Sequence, residues 1–240
     1  MRTAALTQRI VKIVVFLIAV SPAARVVTLT VTDVLGRTHA LGANPIDALT
    51  DTTGIWTLRF VLLSLAVTPA RRLTGWNALI RYRRMLGLFA FFYAALHFTT
   101  WIGLDQGLLW PYILPEAAPD QAVTWAIIVG DIAKRPYITV GFLGFALMVP
   151  LALTSTAGWI RRLGGRWWNR LHRLVYVTGV CGVVHFLWLV KVVEAEQILY
   201  AAILTVLLGL RLWWSIAKRL ASRTVPVRQP LSSPRIGSAS

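Results

Sequence analysis

The chain has 240 residues, of which 57% are hydrophobic and 14% are charged, and its formal net charge is +16. A basic chain is typical of nucleic-acid binders. However, soluble domains have about 25% charged residues, and a soluble domain of this composition would expose large apolar patches. The composition therefore excludes a soluble nucleic-acid-binding protein and favours one that lies in a lipid bilayer.

The cysteine content and the glycine motifs exclude two further classes. A single cysteine, Cys181, excludes an internal disulfide and any cysteine-rich metal or iron–sulfur site. The chain has neither a glycine-rich dinucleotide-binding fingerprint after a strand-like run nor a P-loop. Nothing therefore predicts a nucleotide-binding domain.

Six segments approach the roughly 20 mainly apolar residues that a membrane-spanning helix needs. In chain order they are residues 11–31, 56–70, 85–104, 137–156, 173–191 and 197–214. The second is short, so we expect it to start earlier or to tilt. A further apolar stretch, 121–133, is too short to span and fits an interfacial helix. The sequence predicts an all-α membrane protein, a six-helix transmembrane bundle.

The first segment allows a second interpretation. Arg2 and Arg9 precede an apolar run, and residues 21–24 are small, as at the cleavage site of a signal peptide. Apolar residues resume after Arg25, which favours a retained span.

The distribution of charge predicts the orientation. Most of the 25 cations lie before or early in the first span, between the second and third, between the fourth and fifth, and late in or after the sixth; all nine acids lie in the other segments. By the positive-inside rule both termini are cytoplasmic. We expect residues 1–220 to form the transmembrane domain and residues 221–240, rich in proline and serine, to be a disordered cytoplasmic tail.

Histidines inside spans are functional candidates. His97 lies in the third predicted span and His185 in the fifth, each thirteen residues, or about 20 Å, from its cytoplasmic start. Two imidazoles at one depth can bind both axial faces of a haem iron. The simpler interpretation is two buried, hydrogen-bonded histidines.

His39, in an outer loop, is expected to be solvated. Residues expected to flank a haem are Phe91, Phe92, Phe98, Phe186, Trp188, Gly179 and Gly182.

His172 opens the fifth predicted span, opposite Arg83 and Arg84 at the start of the third. On a continuous helix His172 and His185 would lie about 140° apart, so one face would not present both. His172 is therefore an alternative metal ligand or a group beside a second cofactor. Arg83 and Arg84 are positive-inside anchors, or guanidinium forks for a flavin phosphate or haem propionate, and a quinone site there is a further alternative.

Several short stretches, taken together, resemble one family. They are LGANP at 41–45, RRMLGL at 83–88, LHFT at 96–99, RPYIT at 135–139, TST at 154–156, LHRLVY at 171–176 and HFLWLVK at 185–191. With six predicted spans, they resemble the MsrQ (formerly YedZ) family, the haem-binding membrane subunits of a protein-methionine-sulfoxide reductase system. That family belongs to the ferric-reductase-like transmembrane group.

The resemblance implies a multi-pass protein of the bacterial inner membrane that binds haem b and is also associated with FMN. It implies electron transfer from quinol or a cytosolic flavin reductase to a periplasmic molybdopterin-containing partner of the MsrP type, which reduces methionine sulfoxide in oxidised envelope proteins. By position, His97 and His185 match the family's haem ligands and His172 its third histidine. The chain would be the electron-transfer subunit, not the catalytic one. The outer loop at about 105–136 looks longer than in the family.

Two other functions stay open at this point. One is a membrane cytochrome b that reduces ferric chelates or oxygen. The other is a haem-free assembly or transport subunit whose histidines only pack.

Overall fold

A computed structural model describes residues 2–113 and 123–224, and this part of the chain is helical without any strand. Its elements are α1 (Arg2–Val34), α2 (Pro45–Thr74), a 3-10 helix (Asn77–Arg81), α3 (Arg83–Thr100), a π-helical turn (Trp101–Asp105), α4 (Trp110–Ile113), α5 (Trp125–Lys134), α6 (Pro136–Leu153), α7 (Ala157–Leu171), α8 (Leu174–Leu189) and α9 (Ala195–Thr224). The tail expected at 221–240 lies outside the described residues from position 225 onward.

The prediction of a transmembrane helical bundle is confirmed. The helices α1, α2, α3 with its π-helical turn, α6 and α9 are each long and apolar enough to cross a membrane. The pair α7 and α8, bent by 42°, is the sixth candidate. With 16 residues, α8 alone is about 24 Å long, shorter than a hydrocarbon core of about 30 Å, so the fifth span needs residues before Leu174.

The second span begins earlier than its apolar core, as expected. The side chain of Asn44 accepts a hydrogen bond from the Asp47 amide at 3.4 Å, and Pro45 occupies the first turn. The helix ends at Gly75, whose φ of 71° suits glycine and whose amide donates to the Arg71 carbonyl. Between these caps, α2 has 30 residues.

The core lies around α2, which contacts α1, α3, α8 and α9. Its Leu58, Val61 and Leu65 are buried in one cluster with Tyr93 of α3 and Leu204 of α9. The second packing unit is α6 against α8. Small residues bring these helices close, as is common between membrane helices: a Cβ at Gly144 of α6 would lie only 3.1 Å from Cys181 Cβ.

The short helix predicted at 121–133 is present as α5, although residues 121 and 122 lie outside the described part. It ends at Lys134 because Arg135 is extended, as residues before proline tend to be, and Pro136 then opens α6. Whether α5 lies at the membrane interface stays a prediction.

The connection from α6 to α8 is broken rather than straight. Inside α7, Gly164 has φ 70° and ψ 151°, values that end one helical segment and start another. A second break follows at His172, the C-cap of α7. The residues before α8 therefore do not continue its helix.

Candidate functional site

The structure brings His97 of α3 and His185 of α8 together. Their ring centroids lie 6.1 Å apart and the ring planes are nearly perpendicular, at 74°. The equal depth calculated from the sequence therefore corresponds to a direct pairing of the two rings across the bundle.

Each ring is oriented by a main-chain carbonyl of another helix. His97 Nδ1 lies 2.9 Å from the Thr50 oxygen in α2, and His185 Nδ1 lies 2.7 Å from the Tyr137 oxygen in α6. Because a carbonyl only accepts, each Nδ1 carries the hydrogen and donates it. Each Nε2 then keeps its lone pair, which is the arrangement of a metal-ligating histidine.

A glycine lies beside each of these hydrogen bonds, at the same spacing. Gly54 follows Thr50 by four residues, and Gly141 follows Tyr137 by four. A Cβ at Gly141 would lie 2.7 Å from His185 Nδ1, and one at Gly54 would lie 3.0 Å from His97 Nδ1. In a helix the Cβ of residue i+4 points back over the carbonyl of residue i, so only glycine leaves that carbonyl open to an incoming ring.

These four residues were not identified from the sequence. A carbonyl acceptor has no side-chain signature, since every residue carries one. The only available signal was the repeated occurrence of a glycine near the N-terminal end of an apolar helix, in TDTTG at 50–54 and YITVG at 137–141.

The donor set fits a haem. Among the described residues no three His, Cys, Asp or Glu side chains form a group able to hold a metal ion. Two imidazoles are too few for a structural metal site, which takes four protein ligands, but they suit an iron whose other four ligands come from a macrocycle. The two ring centroids lie 6.1 Å apart, which is close enough for both imidazoles to hold one iron.

The aromatic residues expected to flank a haem differ in where they pack. Phe98 and Phe91 of α3 both stack on Phe145 of α6, with ring centroids 4.9 Å and 6.0 Å apart. In contrast, Phe92 is 43% exposed and Trp188 56% exposed, so both point out of the bundle.

The two glycines expected to flank a haem serve helix packing instead. A Cβ at Gly179 would meet Leu65 at 3.2 Å and Leu204 at 3.3 Å, and one at Gly182 would meet Leu58 at 3.3 Å. Gly179 thus faces α2 and α9, and Gly182 faces α2, because leucines of these helices lie beside them.

His172 lies at the opposite end of α8 from His185. Its Nε2 is 3.1 Å from the Thr154 hydroxyl, and its ring stacks on Trp168 at 3.9 Å. The Trp168 indole donates to the Thr154 carbonyl at 2.9 Å. The angle of about 140° expected between His172 and His185 does not apply, because His172 precedes α8 in a helix break.

Arg83, Arg84 and His172 line one cavity of about 260 Å³ at this end of the bundle. Its other polar walls include Ser64 and Thr178. The Thr178 hydroxyl is buried and has no hydrogen-bond partner. The structure thus places the three predicted residues together, away from the paired histidines.

Comparison with known proteins gives consistent matches over most of the chain. A family model described as "Ferric reductase like transmembrane component" matches residues 53–183. The protein-methionine-sulfoxide reductase heme-binding subunit MsrQ of Ralstonia nicotianae is 53% identical over 208 residues, 86% of each chain. Proteins of the same name from Xanthomonas euvesicatoria and Herminiimonas arsenicoxydans are 47% and 45% identical, over 83% and 88% of this chain and 84% and 88% of theirs.

Proposed function

The chain belongs to the MsrQ family of ferric-reductase-like membrane proteins, and we propose that it binds haem b and transfers electrons across the bacterial inner membrane. The observation that carries the proposal is the pair of facing imidazoles of His97 and His185, each with its Nδ1 bonded to a carbonyl. Such a haem, when bound, supplies one-electron chemistry between ferric and ferrous iron.

The protein's own contribution is to hold the two ligands. The carbonyls of Thr50 and Tyr137 keep both rings in the tautomer that exposes Nε2, and such partners also raise ligand basicity. Because each carbonyl belongs to a different helix from its histidine, four helices hold the two rings in place. A rigid ligand pair favours fast electron transfer, since little has to move when the charge changes.

We propose that electrons enter at the cavity and that Arg83, Arg84 and His172 bind FMN there. Two guanidinium groups suit a phosphate dianion, and no carboxylate lies among the residues that line the cavity. The electron source in this proposal is quinol or a cytosolic flavin reductase.

We propose a periplasmic molybdopterin-containing methionine-sulfoxide reductase of the MsrP type as the electron acceptor. The chain then supports repair of oxidised envelope proteins as the electron-transfer subunit. Contacts near His185 favour an exit on the side of α5 and α6. Tyr137, whose carbonyl binds His185, has its hydroxyl 3.5 Å from Arg135, and half-exposed Arg135 pairs with Asp131 at 3.6 Å.

The test is a dithionite-reduced-minus-oxidised spectrum of purified variants. We expect His97→Ala and His185→Ala each to lose the b-type absorbance of this haem. His39→Ala, which removes an exposed histidine from an outer loop, should keep the full absorbance. Full absorbance in both ligand variants would refute the ligand assignment, and a wild-type spectrum without b-type bands would support a haem-free subunit.

A further inference from the structure

The link between α6 and α8 carries a cationic surface that the histidine pair does not use. We term it the α7 patch and define it by six exposed side chains: Trp159, Arg161, Arg162, Arg166, Trp167 and Arg170. Trp159 is 40% exposed and Trp167 is 65% exposed. Large indoles left in the open beside four arginines need a partner that offers both apolar and anionic groups.

The two halves of α7, on either side of Gly164, repeat one contact. The guanidinium carbon of Arg162 lies 5.6 Å from the centre of the Trp159 ring, and that of Arg170 lies 5.2 Å from the centre of the Trp167 ring. Stacking holds a guanidinium over the indole face and leaves its N–H groups directed sideways, where they can donate to an anion.

Among the described residues, no carboxylate pairs with this surface. The sequence has no Asp or Glu between Asp131 and Glu194. In the part of the chain that the structure describes, the ion pairs join other residues, Arg59 with Glu196 and Arg135 with Asp131. Within residues 2–113 and 123–224, the four arginines of the α7 patch therefore have no acidic partner.

The chain holds the α7 patch at the end of the bundle. Three residues join α7 to α6, and two join it to α8. Trp168, which follows Trp167, points inward. Its indole donates to the Thr154 carbonyl and stacks on the His172 ring. α6 is a candidate span, and α8 with the few residues before it forms another. Because α7 connects the ends of these two spans through short links, most of α7 lies at the bilayer surface.

We propose that the α7 patch binds the phosphate groups of anionic phospholipids. Guanidinium forks match phosphate, indoles favour the headgroup region of a bilayer, and basic segments next to spans are attracted to anionic lipid. A lipid surface offers both chemistries at the depth where the chain holds the α7 patch. An acidic soluble protein matches only the charge.

Lipid bound to the α7 patch would also hold in place a part of the wall of the cavity lined by Arg83, Arg84 and His172. The helical turn that presents Trp167 and Arg170 outward carries Trp168 on its inner side, against His172. Holding the outer face of this turn therefore holds the ring that packs on His172.

The experiment is native mass spectrometry of the full-length protein in detergent, titrated with phosphatidylglycerol, phosphatidylcholine or inorganic phosphate. We expect the wild type to bind phosphatidylglycerol more tightly than phosphatidylcholine. Removing the four charges should raise the Kd for phosphatidylglycerol about tenfold or more. The variant carries Arg161→Gln, Arg162→Gln, Arg166→Gln and Arg170→Gln.

A matched control removes four other exposed cations from the ends predicted to share that side of the membrane. It carries Arg9→Gln, Lys12→Gln, Arg81→Gln and Lys218→Gln, and we expect a Kd within about twofold of the wild type. A second variant, Trp159→Leu with Trp167→Leu, keeps every charge and removes both stacks, and it should raise the Kd about threefold. That variant decides the matter if the fourfold arginine variant does not fold.

Three results would overturn the proposal: equal Kd values for the patch and control variants, equal binding of the two lipids, or full competition by inorganic phosphate. Unchanged phosphatidylglycerol binding with slower reduction by a soluble donor would instead assign the α7 patch to protein docking. The readout is lipid mass and needs no electron transfer, so its failure is distinguishable from failure of the proposed function.

Discussion

A main-chain hydrogen bond determines what each of the two central histidines can do. A buried imidazole with both nitrogens unpaired would be costly, and one with both paired would have no lone pair left for a metal. With the described residues, His97 and His185 each bond through Nδ1 alone, and glycines four residues beyond the accepting carbonyls leave space for the rings. Glycine is thus as much a part of the site as histidine.

Adding one methyl group at these glycines should perturb the site in a predictable order. Gly141→Ala forces a Cβ to 2.7 Å from His185 Nδ1, so we expect at least a twofold loss of haem per protein. Gly54→Ala, at 3.0 Å from His97, should lose less. The measurement is the ratio of b-type absorbance to protein.

The control for this series is Gly209→Ala in α9, where nothing lies within 4 Å of the added Cβ. It should keep its haem and gain up to about 1 kcal/mol of helix stability. Wild-type haem content in Gly141→Ala would contradict the role given to this glycine.

At two of the prolines inside helices, a side chain of another helix forms hydrogen bonds with the interrupted backbone. Pro69 in α2 cannot donate to the Leu65 carbonyl, and Arg211 of α9 donates to that carbonyl instead. In α1, next to Pro22, the Tyr93 hydroxyl of α3 donates to the Ala19 carbonyl at 2.8 Å and accepts from the Ala23 amide at 3.0 Å. Because lipid offers no hydrogen bonds, backbone groups opened by a kink need another partner, and at these two sites a neighbouring helix supplies it.

A double-mutant cycle tests this account for α2 and α9. Arg211→Met leaves the Leu65 carbonyl without its donor and should destabilise the protein by about 1–3 kcal/mol. In a Pro69→Ala background, the restored amide satisfies that carbonyl, so the same change should cost about 1 kcal/mol less. Thermal unfolding in detergent gives both values. Strictly additive effects would mean that Arg211 does not compensate for the proline.

For the molecule as a whole, contacts join the cationic ends of several spans. Arg72 at the end of α2 lies over the Trp214 ring of α9 at 4.8 Å, and Arg211 donates to the Tyr176 hydroxyl in α8 at 3.1 Å. At the other end, Arg59 of α2 donates to the Tyr200 hydroxyl of α9 at 2.7 Å. Arg72 and Arg211 thus lie at the end where the positive-inside rule predicts most cations, and Arg59 is an exception at the other end.

The cytoplasmic location of both termini stays a prediction, and accessibility labelling tests it. In a Cys181→Ser background, we expect Val192→Cys, 76% exposed in the wild type, to react with an impermeant maleimide in intact cells. Trp76→Cys, at a position that is 58% exposed on the opposite side, should react only after lysis. The reverse labelling pattern would show that both termini lie on the other side of the membrane.

Several features could be read from the residues and several could not. The number of spans and the shared depth of His97 and His185 follow from hydropathy and charge counted along the chain. The break at Gly164, the location of His172 outside α8 and the outward direction of Trp188 do not, because a periodic apolar pattern describes one helix and contains no information on where that helix bends or what packs against it.

Composition alone indicated a membrane protein, and charge along the chain predicted its orientation, because burial in lipid and attraction across a membrane add up residue by residue. Three features depended on the packed structure. They are the imidazole nitrogen left free for a metal, the glycines that leave space for the rings, and the donor to the Leu65 carbonyl. Each of these is a contact between helices tens of residues apart in the chain, and its geometry is set by packing that no local pattern encodes.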